Sequence, residues 1–355
     1  MAGLTADSLS PQGRAYARWM LEQLCETRSS VANRDAPASV RNELAAVGLG
    51  PATARFASSA VEDTERAIAL QVFATNCAFR EVALRVSAAL ADAGIRAVFI
   101  KGASQFTTAE TWWPLRPMSD LDLLVERTSF AAARAVLRSL AFAVETAPKP
   151  SSVWEGQQEL VRRTPTGVVR IDLHRGLHHW PIWAGLSEAV LDSATLAGGV
   201  YVPSTSGRLL VAAAHRARHA YRVDARELFD VGLMLGAPLD ADALVALAER
   251  TRCVGALWSL LDEVTALLGQ VSDEHVALLA RTRRATNVVG RLATTALRRA
   301  TASAARRGDT PHFWSLYLGL PAAGVGSGRA ALGLATHGLL RSADVVVGTL
   351  TPGKS

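Results

Sequence analysis

Cysteine, lysine and long apolar runs are all scarce in this 355-residue chain, and each scarcity excludes something. Cysteine occurs only at Cys25, Cys77 and Cys253. An odd number so widely spaced argues against a disulfide framework and a cysteine zinc site, and fits a reducing compartment, the cytoplasm. No stretch reaches the roughly 18 uninterrupted apolar residues of a membrane span, so none is expected. The nearest candidate, 330–350, is broken by His337, Arg341 and Asp344. Residues 1–11 are polar and lack the basic-then-apolar order of a secretory signal. Lysine is confined to Lys101, Lys149 and Lys354, so the positive charge is almost all arginine. The net charge of +6 and pI of about 9.7 keep nucleotides, nucleic acid and an acidic membrane face in view as partners. Composition is otherwise that of a globular protein, 49% apolar and 20% charged, long enough for one large domain or two ordinary ones.

Against that background three stretches stand out. Phe99-Ile100-Lys101-Gly102-Ala103-Ser104 reads as an apolar strand running into a glycine turn and a helix start, with a rare lysine at the strand end. Ser119-Asp120-Leu121-Asp122-Leu123-Leu124-Val125 reads as a strand with two acids two residues apart. Alternate strand residues share a face, so Asp120 and Asp122 point the same way. Val168 to His174 reads as a further strand, with Asp172 and His174 on one face. Three carboxylates gathered on one sheet edge make a divalent-cation site, and a glycine turn beside them can admit a phosphate. The same acids also suit solubilising charges on an edge strand, and Asp172 could pair with Arg170 or Arg175.

Helical spacing predicts helices over 11–26, 39–47 and 62–93, the last with Ile68, Val72, Phe73, Phe79, Val82, Leu84, Val86 and Leu90 facing a core, Gly94 as its cap and Asn76 solvated. Gly48-Leu49-Gly50-Pro51 reads as a stop. A strand over 97–100, a helix from Ser104 to about 111, a proline-punctuated loop to Ser119, a helix over 129–140, a strand over 142–146 and a hairpin of 158–163 with 168–174 follow. After Gly176 the pattern turns helical throughout. The expected fold is α+β: residues 1–94 a helical region, 95–205 a small mixed sheet with helices, and 206–355 a second helical region. Residues 281–307 hold eight arginines and no acid, and Arg284, Arg291 and Arg298 recur every seven residues, so one helix with a basic face is expected there, packed through Val289, Ala293, Ala296, Leu297 and Ala300.

An apolar strand ending in Lys-Gly, an Arg shortly before Asp-x-Asp (Arg116), and a later strand ending Asp172-Leu173-His174 together resemble the nucleotidyltransferase superfamily typified by DNA polymerase β. More closely they resemble a bacterial branch in which Lys-Gly replaces the usual Gly-Ser or Gly-Gly. The similarity runs from about residue 48 to about 235; Ala103 separates Gly102 from Ser104 where the superfamily commonly has Gly-Ser. The resemblance implies a Mg²⁺-dependent enzyme that moves a nucleoside monophosphate from an NTP, with ATP expected, to a hydroxyl of a small molecule, peptide or protein, in a biosynthetic setting. It implies two metal ions held by Asp120, Asp122 and Asp172, with Asp172 also orienting the acceptor. Lys101, Gly102 and Arg116 would meet the β- and γ-phosphates; Ser104 suits helix capping or a phosphate, and His174 a phosphate contact or packing.

Other features carry two readings each. His215 and His219 are four apart on a helix, a zinc-compatible spacing without a third ligand or the Glu of a zinc protease. Asp230 is expected to pair with Arg226, one helical turn before it. His178-His179-Trp180 extends the histidine cluster, and Trp112, Trp113, Trp180 and Trp183 suit packing or base stacking. The alternative function is a non-catalytic module whose 281–307 helix touches RNA, an anionic membrane or a partner protein. A nucleic-acid-extending enzyme would fit the charge, but no RNA-binding module follows, and a hydrolase using the same metals is a further reading.

Overall fold

The computed structural model describes residues 9–25, 35–56, 63–107, 112–144, 156–164, 167–177, 183, 185–219, 224–288 and most of 291–299. Its centre is one mixed sheet in the order β3-β4-β2-β1-β6-β5. The strands are β1 Ala97–Ile100, β2 Leu121–Val125, β3 Gln157–Thr164, β4 Gly167–His174, β5 Thr195–Ala197 and β6 Val200–Val202. The β1–β2, β3–β4 and β5–β6 pairs are antiparallel, whereas β2–β4 and β1–β6 run parallel.

β1 and β2 are buried along their whole length, because helices cover both faces of the sheet. One face carries Phe99, Leu121, Leu123, Ile171 and Leu173 against the second half of α4 (Asp63–Asp92) and α5 (Phe130–Ser139). The other face carries Val98, Ile100 and Leu124. It packs on α6 (Leu186–Asp192), α7 (Thr205–Arg218), α8 (Ala225–Leu235) and α10 (Val254–Leu268). The same core takes in α1 (Pro11–Cys25), α2 (Ala38–Ala46) and α3 (Gly50–Phe56), so the N-terminal helices and the later ones share one interior. α9 (Ala241–Arg250) and α11 (Asp273–Ala285) complete the helical layer.

The mixed α/β fold is the one expected, with local departures. The Gly48-Leu49-Gly50-Pro51 stretch ends α2 at Ala46 as expected, and Gly50-Pro51 then opens α3; proline is favoured in a first helical turn, where its missing N–H has no partner to lose. β5 and β6 interrupt the stretch expected to be wholly helical. They are three residues long, but Gly198 and Gly199 between them adopt φ of 58° and 88°, the signature of a tight two-residue hairpin turn. Of the expected strand over 142–146, only an isolated bridge between Ala143 and Val161 forms among the described residues. In α4, Ile68 and Phe73 are exposed rather than core, and only the half from Asn76 onward packs on the sheet. By length and composition α4 could cross a membrane, yet that second half is built into the sheet core.

The basic helix expected over 281–307 is broken in the described residues. α11 ends at Ala285, and Thr286 turns to extended backbone, its hydroxyl donating to the Thr282 carbonyl. Arg281 pairs with Asp242, Arg298 with Asp262 and Glu263, and Arg291 donates to the carbonyls of Arg283 and Thr286. Acids brought in from α9 and α10 thus neutralise arginines that the local sequence leaves unmatched. Ala296 is exposed rather than packed. Val289, Ala293, Leu297, Ala300, Arg306, Arg307, His178, His179 and Trp180 lie outside the described residues.

Candidate active site

The parallel pairing of β2 with β4 sets Asp122 directly opposite Asp172. In β2, Leu121 and Leu123 face the α4–α5 side; in β4, Ile171 and Leu173 do the same. Alternation then turns Asp122, Asp172 and His174 to the other face, toward the helical layer. Asp120 lies just before β2 rather than within it, accepts a hydrogen bond from the Ser119 hydroxyl (3.1 Å), and lines the cleft described below.

Asp122 is the hub. Its Oδ1 accepts from Lys101 Nζ at 2.7 Å and lies 2.9 Å from His174 Nε2. Asp172 Oδ2 accepts from Gln157 Nε2 at 2.7 Å, across the β3–β4 ladder. Burial by itself would raise the Asp122 carboxyl, but the Lys101 ammonium and the His174 ring hold it well below the usual carboxylate range. Asp172 goes the other way. Burial raises it, as do the neighbouring charges of Asp122 and Asp120, against the pull of His174 and Lys101. Acids crowded so that one resists ionisation are the arrangement a cation relieves.

The donor set fits a divalent metal. One ligand atom from each of Asp122, Asp172 and His174 falls within 4.8 Å of the other two. Two carboxylates suit Mg²⁺ or Mn²⁺, and an imidazole shifts the preference toward Mn²⁺ and later transition ions. Of the readings open for His174, a phosphate contact or packing, the packed one describes its place: it is 2% exposed and turned onto Asp122.

Lys101 has φ of 53°, a left-handed conformation that costs a non-glycine residue about 1–2 kcal/mol. It ends β1 and begins a 3₁₀ turn through Thr107, in which the Ser104 hydroxyl donates to the Lys101 carbonyl at 2.7 Å. Ser104 is thus buried inside the turn rather than at an α-helix start. A Cβ on Gly102 would lie 2.6 Å from Arg116 Nη1, so the absent side chain is what lets that guanidinium lie against the turn. Gly48, at φ 84°, does the same for Arg226: a Cβ there would meet its Cδ at 2.7 Å.

These groups open onto one cleft of about 210 Å³, with Lys101, Gly102, Ser104, Arg116, Asp120 and Asp122 on the sheet side. Opposite stand Arg208, Val211 and His215 of α7, and Arg226, Glu227, Asp230 and Met234 of α8, with Asp224 at the α8 N-cap. His215 Nδ1 lies 3.0 Å from Glu227 Oε1, and Arg226 pairs with Asp224 at 2.7 Å. Burial would raise the Glu227 carboxyl, but the His215 ring outweighs it and holds the group low.

The helical wall holds what sequence reasoning missed. Asp230 does not pair with Arg226. It accepts from Arg116 Nε at 2.7 and 2.9 Å and from Trp112 Nε1 at 2.7 Å, across 114 and 118 residues of chain. Asn76 is not solvated; it is fully buried, and its Nδ2 donates to the carbonyls of Trp113 (2.7 Å) and Arg116 (2.8 Å). Its place on an otherwise apolar stripe of α4 was the available signal. Trp112 and Trp183 are core residues, and Trp113 packs edge-on against Phe106.

A family model described as "Uncharacterised nucleotidyltransferase" matches residues 54–269. No curated protein and no solved structure matches the chain.

Proposed function

Because the chain belongs to the uncharacterised nucleotidyltransferase family, and so is a transferase, we propose that it moves a nucleoside monophosphate from an NTP, ATP in the first instance, to a hydroxyl of a small molecule, peptide or protein in the cytoplasm. The observation that carries this reading is the Asp122–Asp172 register pair with His174 beside it, Asp122 itself lining a cleft together with Lys101, Gly102 and Arg116.

Asp122, Asp172 and His174 would hold a divalent metal, with Asp120 reaching a second ion or its water from the strand's edge. Bound there, Mg²⁺ or Mn²⁺ would supply charge stabilisation for the attacking and leaving oxygens. Lys101 releases Asp122 and turns to the β- and γ-phosphates as a point charge, and Arg116 adds a planar fork. Gly102 keeps the turn's backbone open to them, and Ser104 holds the turn closed. Asp172, opposite Asp122 in the strand register, would orient the acceptor hydroxyl. The oxygen of that hydroxyl would bond to the α-phosphorus as its proton passes to the Asp172 carboxylate, the bond to the β-phosphate oxygen would break, and pyrophosphate would leave.

The test pairs binding with transfer. Thermal stabilisation of the full chain is measured with ATP, GTP, CTP or UTP and Mg²⁺ or Mn²⁺, and again for Asp122→Ala. α-Labelled NTPs are then incubated with a lysate of the source organism. Metal-dependent stabilisation lost in the variant, with label passing to an acceptor, is expected. No shift with any triphosphate would overturn the reading in favour of a binding module.

A further inference from the structure

We infer that Asp230 is a positioning residue for Arg116, and that discrimination of a nucleoside triphosphate from its monophosphate rests on this pair. The inference depends on the proposed reading of the cleft and sharpens it.

Arg116 leaves a loop, and a long side chain on a loop spends most of its time in conformations that a ligand must pay to abandon. Here the ordering is already done. Asn76 fixes the main chain on both sides of the 3₁₀ turn Trp113–Leu115 through two short hydrogen bonds. Asp230, 6% exposed on α8, then takes the guanidinium by Nε alone, while Trp112 Nε1 fixes the carboxylate from the other side. Because both contacts to Asp230 leave from Nε, the edge bearing the two terminal nitrogens is not the edge Asp230 uses. Nη1 lies against Gly102, beside Lys101. Nη1 also donates to the Pro117 carbonyl, at a long 3.4 Å, a contact that a phosphate oxygen can replace; a guanidinium anchored at Nε thus offers its terminal nitrogens to a second anion, in the geometry that makes arginine a phosphate ligand.

Two effects of Asp230 oppose each other. Its charge offsets that of Arg116 and weakens the cleft's attraction for any anion. Its position gives Arg116 one orientation. The sign of the change on removing the charge therefore identifies the dominant role. If Asp230 were only a neutralising charge, Asp230→Asn would tighten binding of a triphosphate. If it positions Arg116, the same change weakens it.

Titration calorimetry on the full chain with Mg²⁺ and each of ATP, GTP, CTP and UTP, and with the matching monophosphates, reads this directly. Asp230→Asn is expected to weaken the preferred triphosphate about tenfold, the loss of one ordered charge-assisted contact, and to leave the monophosphate within twofold. In an Arg116→Ala background, Asp230→Asn should change nothing further. Should Asp230→Asn fail to fold, Arg116→Lys keeps the charge without the fork and should show the same selective loss. Unchanged or tighter triphosphate binding in Asp230→Asn, or in Arg116→Lys, overturns the inference while the proposed function stands. A wild-type chain that binds no triphosphate overturns both.

Discussion

The two walls of the cleft are built on different principles. On the sheet side, Asp122, Asp172 and His174 come from two adjacent parallel strands, and the backbone register brings them together. On the helical wall, His215, Arg226, Glu227 and Asp230 come from two successive helices, and side-chain pairs set their positions. The sheet wall concentrates like charge, raising Asp172 through burial and its acid neighbours. The helical wall matches its acids to Arg116, Arg226 and His215. A rigid ladder tolerates the strain of crowded acids, which is where chemistry can use it; a wall made of side chains needs its charges answered to stay in place.

That contrast can be broken from the helical side first. Arg216, next to His215 on α7, is 1% exposed and pairs with Glu263 of α10, itself 4% exposed. Removing one member of a buried pair costs about 3–5 kcal/mol because the other charge is stranded. Arg298 also reaches Glu263, so Arg216→Met strands that carboxylate only in part and should lower stability by about 3 kcal/mol, the low end of that range, in chemical denaturation. Replacing both, as Arg216→Met with Glu263→Leu, should recover most of the loss. A single variant as stable as the parent would show that the helical wall does not depend on matched charge.

The sheet wall should answer differently. Asp122→Asn removes the hub acid without changing its shape, so its effect should fall on function. Charge stabilisation by a metal is worth several kcal/mol, and at about 1.4 kcal/mol per tenfold transfer should fall at least ~100-fold. Stability should fall as well, since the Lys101 ammonium and the His174 ring lose the carboxylate that answers them, but by less than the loss of transfer. A large loss of stability with activity retained would reverse the comparison.

Between the walls runs the Asn76 contact, which ties α4 to the loop carrying Arg116. Asn76→Ala leaves two carbonyls without their donor, at about 1–3 kcal/mol for buried groups. The measurement that matters is whether triphosphate affinity falls along with stability. Asn76→Ser, which keeps one hydroxyl donor, should lie between.

How far each wall was legible in the chain follows from the same physics. Asp122, Asp172 and His174 could be placed because a strand's period of two and an apolar run declare which side chains share a face; Asp120 falls just before β2, where that period does not reach. The β1–β4 strands and the long α4 were readable for the same reason. Asp230 was assigned to Arg226 because spacing of four is a strong local signal; the partner it takes lies 114 residues away. Asn76 was misread because burial depends on what lands on a helix, not on the helix itself. The arginines of 281–299 look like one basic face until α9 and α10 bring Asp242, Asp262 and Glu263 to them. Local periodicity reports faces; it does not report what a distant segment supplies.

Acid separates the two walls with the smallest perturbation. His275 is 1% exposed in the joint between α10 and α11, with Nε2 3.2 Å from the Thr265 hydroxyl. Burial lowers its pKa from 6.5, and the Leu261 carbonyl only partly opposes this. A base held neutral by the fold gives stability that is complete above its unfolded pKa and is lost as pH falls through the folded one. The slope below about pH 6.5 cannot exceed about 1.4 kcal/mol per pH unit for one proton. Asp122, held low by Lys101 and His174, stays ionised over that range. Denaturation midpoints between pH 7 and 5 should therefore fall, and His275→Gln should flatten the decline. Metal-dependent triphosphate binding, corrected for the unfolded fraction, should weaken for a separate reason, a proton competing with the metal at Asp172, and should do so equally in His275→Gln. A midpoint that falls equally in His275→Gln would move the acid-sensitive group out of the helical layer.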